Sequence, residues 1–138
     1  SKKYGYTRVP FFGVQENKTG KTIFKTDGQI NLKTTLEIQE EMGKYFPKTS
    51  HYTFDNQNGD SCIFDITWKD EIERRNMYKS YPEPMRQSFD AMDVQPTYMR
   101  YFAHGKISLT IAGETITSEG DMIYEYNYMG KESENAGV

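Results

Sequence analysis

The stretch HYTFDNQNGDSCIFDITW, residues 51–68, decides the predicted fold. Apolar side chains recur at every second position of its latter half, at Cys62, Phe64, Ile66 and Trp68. This is the period of a half-buried strand. A three-residue loop around the Asn-Gly dipeptide places Phe54 opposite Cys62, and Tyr52 opposite Phe64. The apolar side chains then share one face, so the sequence predicts an antiparallel hairpin.

Strands and turns are also predicted on the N-terminal side. Residues 7–14 have the composition of an edge strand, because Pro10 cannot donate a ladder hydrogen bond. Residues 16–20 read as a turn. Asp27-Gly28 predicts a tight hairpin that joins strands 22–25 and 29–33 and sets Ile23 opposite Leu32.

A helix is predicted over residues 35–46. Thr34 and Glu37 have the spacing of a capping box. Apolar side chains then follow at helical spacing, at Ile38, Met42, Tyr45 and Phe46. Pro47 ends the pattern.

The C-terminal half predicts two more helices and then strands. The helices are residues 69–79 and a segment from Pro84 in which Met85, Phe89 and Met92 recur at helical spacing. Four short strands are expected between 97 and 129. Their turns are His104-Gly105, Gly113-Glu114 and Glu119-Gly120. The register sets Ile111 and Ile123 opposite Ile116. One face then carries Ile107, Leu109, Ile111, Ile116 and Ile123, and the opposite face carries Met122, Tyr124, Tyr126 and Tyr128.

The predicted fold class is therefore α+β, antiparallel and β-rich. It comprises two packed sheets or a partly closed barrel, two to three helices and a C-terminal four-strand meander. Residues 1–129 are expected to form a single domain. Residues 130–138 are expected to form a flexible polar tail.

The composition makes a membrane protein or a secreted protein an unfavourable prediction. The 138 residues carry a net charge of −3 and are 14% aromatic, with eleven tyrosines. No apolar run reaches the ~18 residues of a membrane span, and no signal peptide is recognised. We therefore expect a cytoplasmic protein, or one assembled in a particle, without a membrane partner.

Charge is unevenly distributed along the sequence. Residues 1–35 have seven basic and two acidic side chains, a net charge of +5.

No catalytic constellation is present in the sequence. Nucleotide-binding loops, nucleophile elbows and zinc-protease motifs are all missing. The lone Cys62 is interpreted as a core thiol, and residues 55–60 fit a hairpin turn better than a calcium loop. The carboxylates near Lys69 match no nuclease signature. We therefore expect neither catalytic residues, nor a metal site, nor a cofactor, and consider an enzyme less favoured than a binding protein.

Two groups of residues are candidates for contact with a partner. An interaction surface is predicted from two aromatic clusters, namely Tyr4, Tyr6, Arg8, Phe11 and Phe12 near the N-terminus and Tyr124, Tyr126 and Tyr128 near the C-terminus. The tyrosines of the second cluster are either core or contact residues. A nucleic-acid contact would instead use the basic side chains Lys2, Lys3, Arg8, Lys18, Lys21, Lys25 and Lys33.

Three functions are therefore compared. The first is a non-catalytic interaction or assembly protein, such as a structural subunit of a virus-type or phage-type particle, whose partner is itself or another protein. The second is a single-stranded nucleic-acid-binding protein, because bases stack on exposed aromatic rings. The third is a small enzyme or ligand-binding barrel that uses His51, Tyr52 or Asp65.

Overall fold

The computed structural model describes residues 12–26, 30–39 and 44–130. The described elements are β1 (Gly13–Gln15), β2 (Thr22–Lys25), β3 (Ile30–Gln39), β4 (Lys44–Asp55), β5 (Ser61–Arg75), α1 (Met77–Ser80), α2 (Glu83–Ala91), β6 (Thr97–Ile111) and β7 (Glu114–Tyr128). Most of the residues that the structure describes lie in strands. A two-stranded sheet contains β1 and β2, and a five-stranded sheet has the order β3-β4-β5-β6-β7. The predicted antiparallel, β-rich class with a C-terminal meander is confirmed.

The hairpin formed by β4 and β5 has the register that the sequence predicts. Phe54 lies opposite Cys62, and Tyr52 lies opposite Phe64. The loop between β4 and β5 places Gly59 at a φ of +81°, which is the left-handed region that favours glycine. The side chain of Asn56 accepts hydrogen bonds from the backbone N–H groups of Asn58 and Asp60, so the loop is closed as a turn.

Two hydrophobic clusters share one face of the large sheet, which we call the inner face. The first cluster is buried beneath β4 to β7 and consists of Phe46, Ile66, Met99, Tyr101 and Ala103. The second is covered by the small sheet and consists of Phe24, Phe54, Cys62 and Leu109. The opposite surface of the large sheet, which we call the outer face, carries the alternating polar positions of β4 to β7.

Side chains of β4 and β7 meet across the inner face of the large sheet. Strands β4 and β7 are separated by two other strands, a distance of about 14 Å in a flat sheet. Even so, the hydroxyl oxygens of Tyr52 and Tyr124 are 2.9 Å apart. The rings of Phe46 and Tyr126 are 5.5 Å apart between centroids. Side chains from β4 and β7 therefore close over the first hydrophobic cluster, and the small sheet covers the second.

The helix predicted over 35–46 is wrong. Residues 36–39 continue β3, and residues 44–46 begin β4, with 40–43 outside the described residues. The helical spacing of the apolar side chains is coincidental, because Phe46 is fully buried on the inner face of the sheet. Pro47 is accommodated opposite Leu36, next to a register shift between Thr35 and Leu36.

The helix predicted over 69–79 is also wrong. Strand β5 continues to Arg75, and only Met77–Ser80 are helical. Two register shifts, one between Trp68 and Asp70 and one between Glu71 and Glu73, interrupt the alternation of β5. Each shift adds an unpaired residue. The period of two therefore disappears from the sequence, although the strand continues.

The helix predicted from Pro84 is confirmed as α2, with a proline in its first turn. Its apolar side chains are less covered than the spacing suggested. Met85 is 47% exposed and Met92 is 48% exposed. Phe89 packs against Tyr81 with 5.2 Å between ring centroids.

The hairpin predicted to join strands 22–25 and 29–33 is wrong. Strand β2 pairs with β1, and β3 pairs with β4, so Ile23 is not opposite Leu32. The Asp27-Gly28 dipeptide lies outside the described residues. Of the predicted strand 7–14, only Gly13 and Val14 are found in a described strand.

The C-terminal meander has two strands of 15 residues where four short ones were predicted. Gly105 and Gly120 are not in turns, but lie directly opposite each other within β6 and β7. The turn is Ala112-Gly113, with φ values of +51° and +84°. This corrects the predicted register as well: Ile116 lies opposite Leu109, and Ile123 lies opposite Phe102.

The tail predicted at 130–138 lies outside the described residues, apart from Gly130. Of the helices that the structure describes, neither has the length and apolar character needed to cross a membrane.

Candidate interaction surface

The tyrosine stripe of β7 lies on the inner face and is half-buried. Tyr124 and Tyr126 pack against the first hydrophobic cluster. The ring of Tyr124 meets that of Tyr101 edge to face, at 5.3 Å between centroids. The ring of Tyr128 stacks parallel to that of Tyr126 at 6.4 Å. Tyr124 and Tyr126 therefore border the core, and all three side chains of the stripe remain partly accessible.

Burial keeps the phenols of three inner-face tyrosines, Tyr52, Tyr101 and Tyr126, protonated at neutral pH. It raises the pKa of Tyr101 and Tyr52 well above the ordinary value, and in Tyr52 the hydrogen bond with Tyr124 adds to the effect. Burial, with the neighbouring Tyr128 and Tyr124, raises the pKa of Tyr126 to about 12. Tyr126 can therefore donate a hydrogen bond or stack, but it does not supply a phenolate base at neutral pH.

The other predicted aromatic residue in the described part of the chain is Phe12. Its ring is stacked on Phe54 at 3.9 Å between centroids and meets Phe24 at 6.3 Å. Phe12 is half-buried and helps to hold the small sheet on the large one. The remaining predicted residues of this cluster, together with two of the basic candidates, lie outside the described residues: Lys2, Lys3, Tyr4, Tyr6, Arg8 and Phe11.

The described basic candidates are all exposed. Lys18 and Lys21 lie in the connection between β1 and β2, and Lys25 lies at the end of β2. Lys33 is on β3, opposite His51, and so belongs to the other sheet. The four lysines are therefore spread over two sheets.

The outer face of β6 and β7 carries two parallel rows of opposite charge. The row on β6 has Arg100, His104 and Lys106, and this strand has no acidic residue. The row on β7 has Glu119, Asp121 and Glu125, and this strand has no basic residue. Each member of one row lies directly opposite a member of the other: Arg100 opposite Glu125, His104 opposite Asp121, and Lys106 opposite Glu119.

Several of these charges are in contact. An Nη of Arg100 lies 2.7 Å from a carboxylate oxygen of Glu125. Nζ of Lys69, on β5, and Nδ1 of His104 lie 2.8 Å and 3.0 Å from the same oxygen of Asp121. The hydrogen bond from Lys69 and the one from His104 lower the pKa of Asp121. Hydrogen bonds from Tyr98 and Arg100 lower the pKa of Glu125.

An exposed apolar pair lies within these rows. Phe102 and Ile123 are directly opposite each other on the outer face, and they are 50% and 56% exposed. An apolar centre with a charged border is the arrangement found in protein interfaces. This pair is not predicted from the sequence, because His104-Gly105 and Glu119-Gly120 have the composition of turns. Continuous alternation from Thr97 to Ile111 would have placed Phe102 on the polar face.

The residues proposed for an enzyme or ligand-binding barrel do not converge. His51 and Asp65 pair on the outer face, with 2.6 Å between Nδ1 and the carboxylate oxygen. Tyr52 instead faces inward. Burial raises the pKa of the Cys62 thiol to about 11, as expected of a core thiol. Within the described ranges, no group of three or more His, Cys, Asp and Glu side chains could hold a metal ion.

Two open grooves are lined by described residues. One, of about 400 Å³, lies between β2 and the β4–β5 loop and is bordered by Lys25, Asn56 and Asp60. The other, of about 280 Å³, lies over the paired glycines Gly105 and Gly120 and is bordered by Phe64 and Met122. Ser118, Glu119 and Asp121 also line the second groove.

Comparison with protein-family models, with curated proteins and with solved structures gives no match to this chain. The surface features of the sheet are therefore the basis on which a function is proposed.

Proposed function

We propose that the chain is a non-catalytic assembly protein, a structural subunit that associates with further copies of itself. The observation that carries this proposal is the character of strand β7. Among the described strands, β7 has a hydrogen-bonded neighbour on one side only. It is 15 residues long and contains no proline and no lysine, the residues that commonly protect an edge strand from pairing.

Charge supports the N-terminal segment of a neighbouring copy as the partner of β7. Strand β7 has four acidic residues and no basic one. Residues 1–11 have the basic side chains Lys2, Lys3 and Arg8 and no acidic one. A second β7 strand would instead bring acidic residues beside acidic residues, which opposes pairing.

The aromatic residues support the same arrangement. Tyr4 and Tyr6 are two positions apart in the N-terminal segment. In a strand added to the edge of a sheet, alternate side chains point to one face, and backbone hydrogen bonds supply the rest of the contact. The two rings could then lie beside the half-buried stripe of β7 and cover the accessible side of Tyr124 and Tyr126.

The test is the absolute mass in solution, measured by light scattering on a sizing column at about 0.05 M and about 1 M salt. We expect a discrete oligomer that loses subunits at high salt, since salt screens exposed charges over a few ångströms. Reversal of the segment's charge in the triple variant Lys2→Glu, Lys3→Glu and Arg8→Glu should prevent association. The matched control reverses three exposed lysines elsewhere, Lys18, Lys21 and Lys79, and should associate as the native chain does.

A strict monomer at both salt concentrations and at high protein concentration would contradict assembly. The second candidate, single-stranded nucleic-acid binding, would then become the stronger one, because Lys18, Lys21, Lys25 and Lys33 are all exposed. It predicts binding of a labelled oligonucleotide that weakens steeply with salt. The absence of binding at about 0.05 M salt would remove it.

A further inference from the structure

We propose that the outer face of β6 and β7 is a two-fold contact surface, on which a second copy of the chain packs its own β6 and β7. The inference rests on the proposed assembly function and adds a second contact to it. This contact uses a face of the sheet, whereas the N-terminal segment uses an edge, so the two contacts are compatible in one assembly.

The register of β6 and β7 makes this surface self-complementary. Consider a two-fold axis that runs parallel to the strands, midway between β6 and β7 and above the outer face. Rotation about this axis places β6 of one copy on β7 of the other at the same height along the strands. Arg100 then meets Glu125 of the second copy, and Lys106 meets Glu119 of the second copy, because these residues are already level within one chain. Each such contact occurs twice.

The same rotation brings the exposed apolar residues together. Phe102 of one copy lies on Ile123 of the other, and the reverse contact is equivalent. Both side chains are at least half exposed in the single chain, so the contact removes apolar surface from water. The charged rows would border this centre on both sides, as in the usual anatomy of an interface.

The charge pattern disfavours the other ways of pairing these faces. A two-fold axis that runs perpendicular to the strands would place β6 of one copy on β6 of the other. With this axis above Phe102, Arg100 would approach His104 of the second copy. A shift that placed β7 on β7 would bring acidic residues together. Only the axis parallel to the strands and between them sets each basic residue against an acidic one.

The charge pairs within one chain do not prevent these contacts. A carboxylate can accept several hydrogen bonds, and Asp121 already accepts one from Lys69 and one from His104. The second copy would add donors to the acidic row and acceptors to the basic row. Because the charges are exposed, each charge pair contributes little to the free energy of association. Together, the pairs determine the register between the two copies.

The size of the surface predicts a weak dimer. Strands of 15 residues are about 50 Å long, and two of them present about 500 Å² per copy. The buried total of about 1,000 Å² is at the lower limit for a specific interface. The twist of packed sheets, about 30°, concentrates the contact near the centre, where Phe102 and Ile123 lie. Association should therefore depend on concentration and on salt.

The decisive test uses two charge reversals at one pair of positions, Lys106→Glu and Glu119→Lys. Both residues are exposed, so the variants should fold. In a homodimer of either variant, like charges face each other twice, and we expect the dissociation constant of the face-to-face dimer to rise by at least about tenfold. In an equimolar mixture, the reversed residue of one variant meets the reversed residue of the other. The mixture should therefore form a heterodimer with nearly the native dissociation constant.

Rescue in the mixture separates a contact between copies from an effect within one chain. Within each variant, positions 106 and 119 still carry like charges in the mixture, so a merely intramolecular defect would persist. Measurement by sedimentation velocity with one variant fluorescently labelled reports the heterodimer directly. The proposal is overturned if either variant associates as the native chain does, or if the mixture associates no better than the single variants.

An apolar substitution provides an independent measurement. Phe102→Ser should weaken the dimer by at least about tenfold, because the centre of the contact loses its ring on both copies. Met85→Ser is the matched control, since Met85 is 47% exposed on α2 and is outside the surface. Circular dichroism confirms folding of both. Equal association of the two variants would contradict the proposal.

Failure of this inference can be distinguished from failure of the proposed function. If the native chain assembles and the N-terminal triple variant does not, but Lys106→Glu associates normally, only the face-to-face contact is rejected. If the native chain is a monomer under all conditions, both are rejected.

Discussion

Two glycines that face each other in the large sheet are expected to respond differently to the same substitution. Gly105 and Gly120 are directly opposite on the inner face of β6 and β7. A Cβ atom at Gly105 would lie 2.9 Å from Sδ of Met122 and 3.0 Å from Cε2 of Phe64. A Cβ atom at Gly120 would have no atom within 4 Å. The groove over these residues therefore has space on the side of β7 only.

We predict that Gly105→Ala lowers the free energy of unfolding by about 1–2 kcal/mol, because Met122 and Phe64 must move. Gly120→Ala should change it by less than about 0.5 kcal/mol. Urea denaturation followed by tyrosine and tryptophan fluorescence measures both. Equal destabilisation by the two substitutions would show that the requirement for glycine lies in the backbone and not in the space above it.

At the scale of the element, the two-residue turn between β6 and β7 connects the strands of the longest described hairpin. Ala112 and Gly113 both have positive φ, as the two central residues of a type I′ turn require. Alanine is unfavourable in this region, whereas asparagine tolerates it. The backbone N–H of Ala112 also donates to a carboxylate oxygen of Asp60 at 3.1 Å, so the turn is tied to the β4–β5 loop.

Substitution Ala112→Asn should therefore raise the free energy of unfolding by about 0.5–1 kcal/mol. Gly113→Ala should lower it by about 1–2 kcal/mol, since an L residue replaces glycine at positive φ. Thermal unfolding of the two variants and the native chain tests both directions. No gain from Ala112→Asn would mean that the bond to Asp60 already fixes the turn.

The elements also show which parts of the fold can be predicted from sequence. Alternation from Cys62 to Trp68 is uninterrupted, so the register of this hairpin could be derived. Beyond Trp68 the strand has two bulges, and the same rule fails although the pairing with β6 continues. At Phe46, helical spacing and burial in a sheet give the same apolar residues, and only tertiary pairing decides between them.

The candidate surface was predicted less completely than the fold. The tyrosines of β7 could be identified from their alternation, but their half-burial depends on contacts with Phe46 and Tyr52 of β4, which the sequence pattern does not reveal. The outer pair, Phe102 and Ile123, was missed for a local reason. A glycine that follows histidine or glutamate is typical of a turn. Here the two glycines instead lie opposite each other in the middle of a continuous strand pair.

At the scale of the whole molecule, the charge rows predict how stability depends on pH. Lys69 with His104 lowers the pKa of Asp121, and Tyr98 with Arg100 lowers the pKa of Glu125. A carboxyl whose pKa is lowered by folding stabilises the folded state above its ordinary pKa, about 3.9 for Asp and 4.3 for Glu. That contribution is lost as the pH falls through the lowered pKa.

The double variant Asp121→Asn and Glu125→Gln should therefore be less stable than the native chain at about pH 7, and the difference should shrink towards about pH 3. Urea midpoints at the two pH values measure it. The double variant Asp70→Asn and Glu114→Gln, at two exposed carboxylates, is the control for the change in net charge. A difference that is the same at both pH values would show that the two carboxylates stabilise the fold without being ionised.

The order of the large sheet has a consequence for how the chain folds. Each of its five strands pairs with the strand that precedes or follows it, so the sheet has no crossover. Paired residues are 3 to 31 positions apart in β6–β7 and 23 to 49 positions apart in β5–β6. Short separations are associated with fast folding. The β6–β7 pair needs only a two-residue loop to begin, and its ladder can then close by successive local steps from Ile111 and Glu114 outward. We expect this hairpin and the meander of β3, β4 and β5 to form early, and the pairing of β5 with β6, which spans the longest sequence separations, to follow.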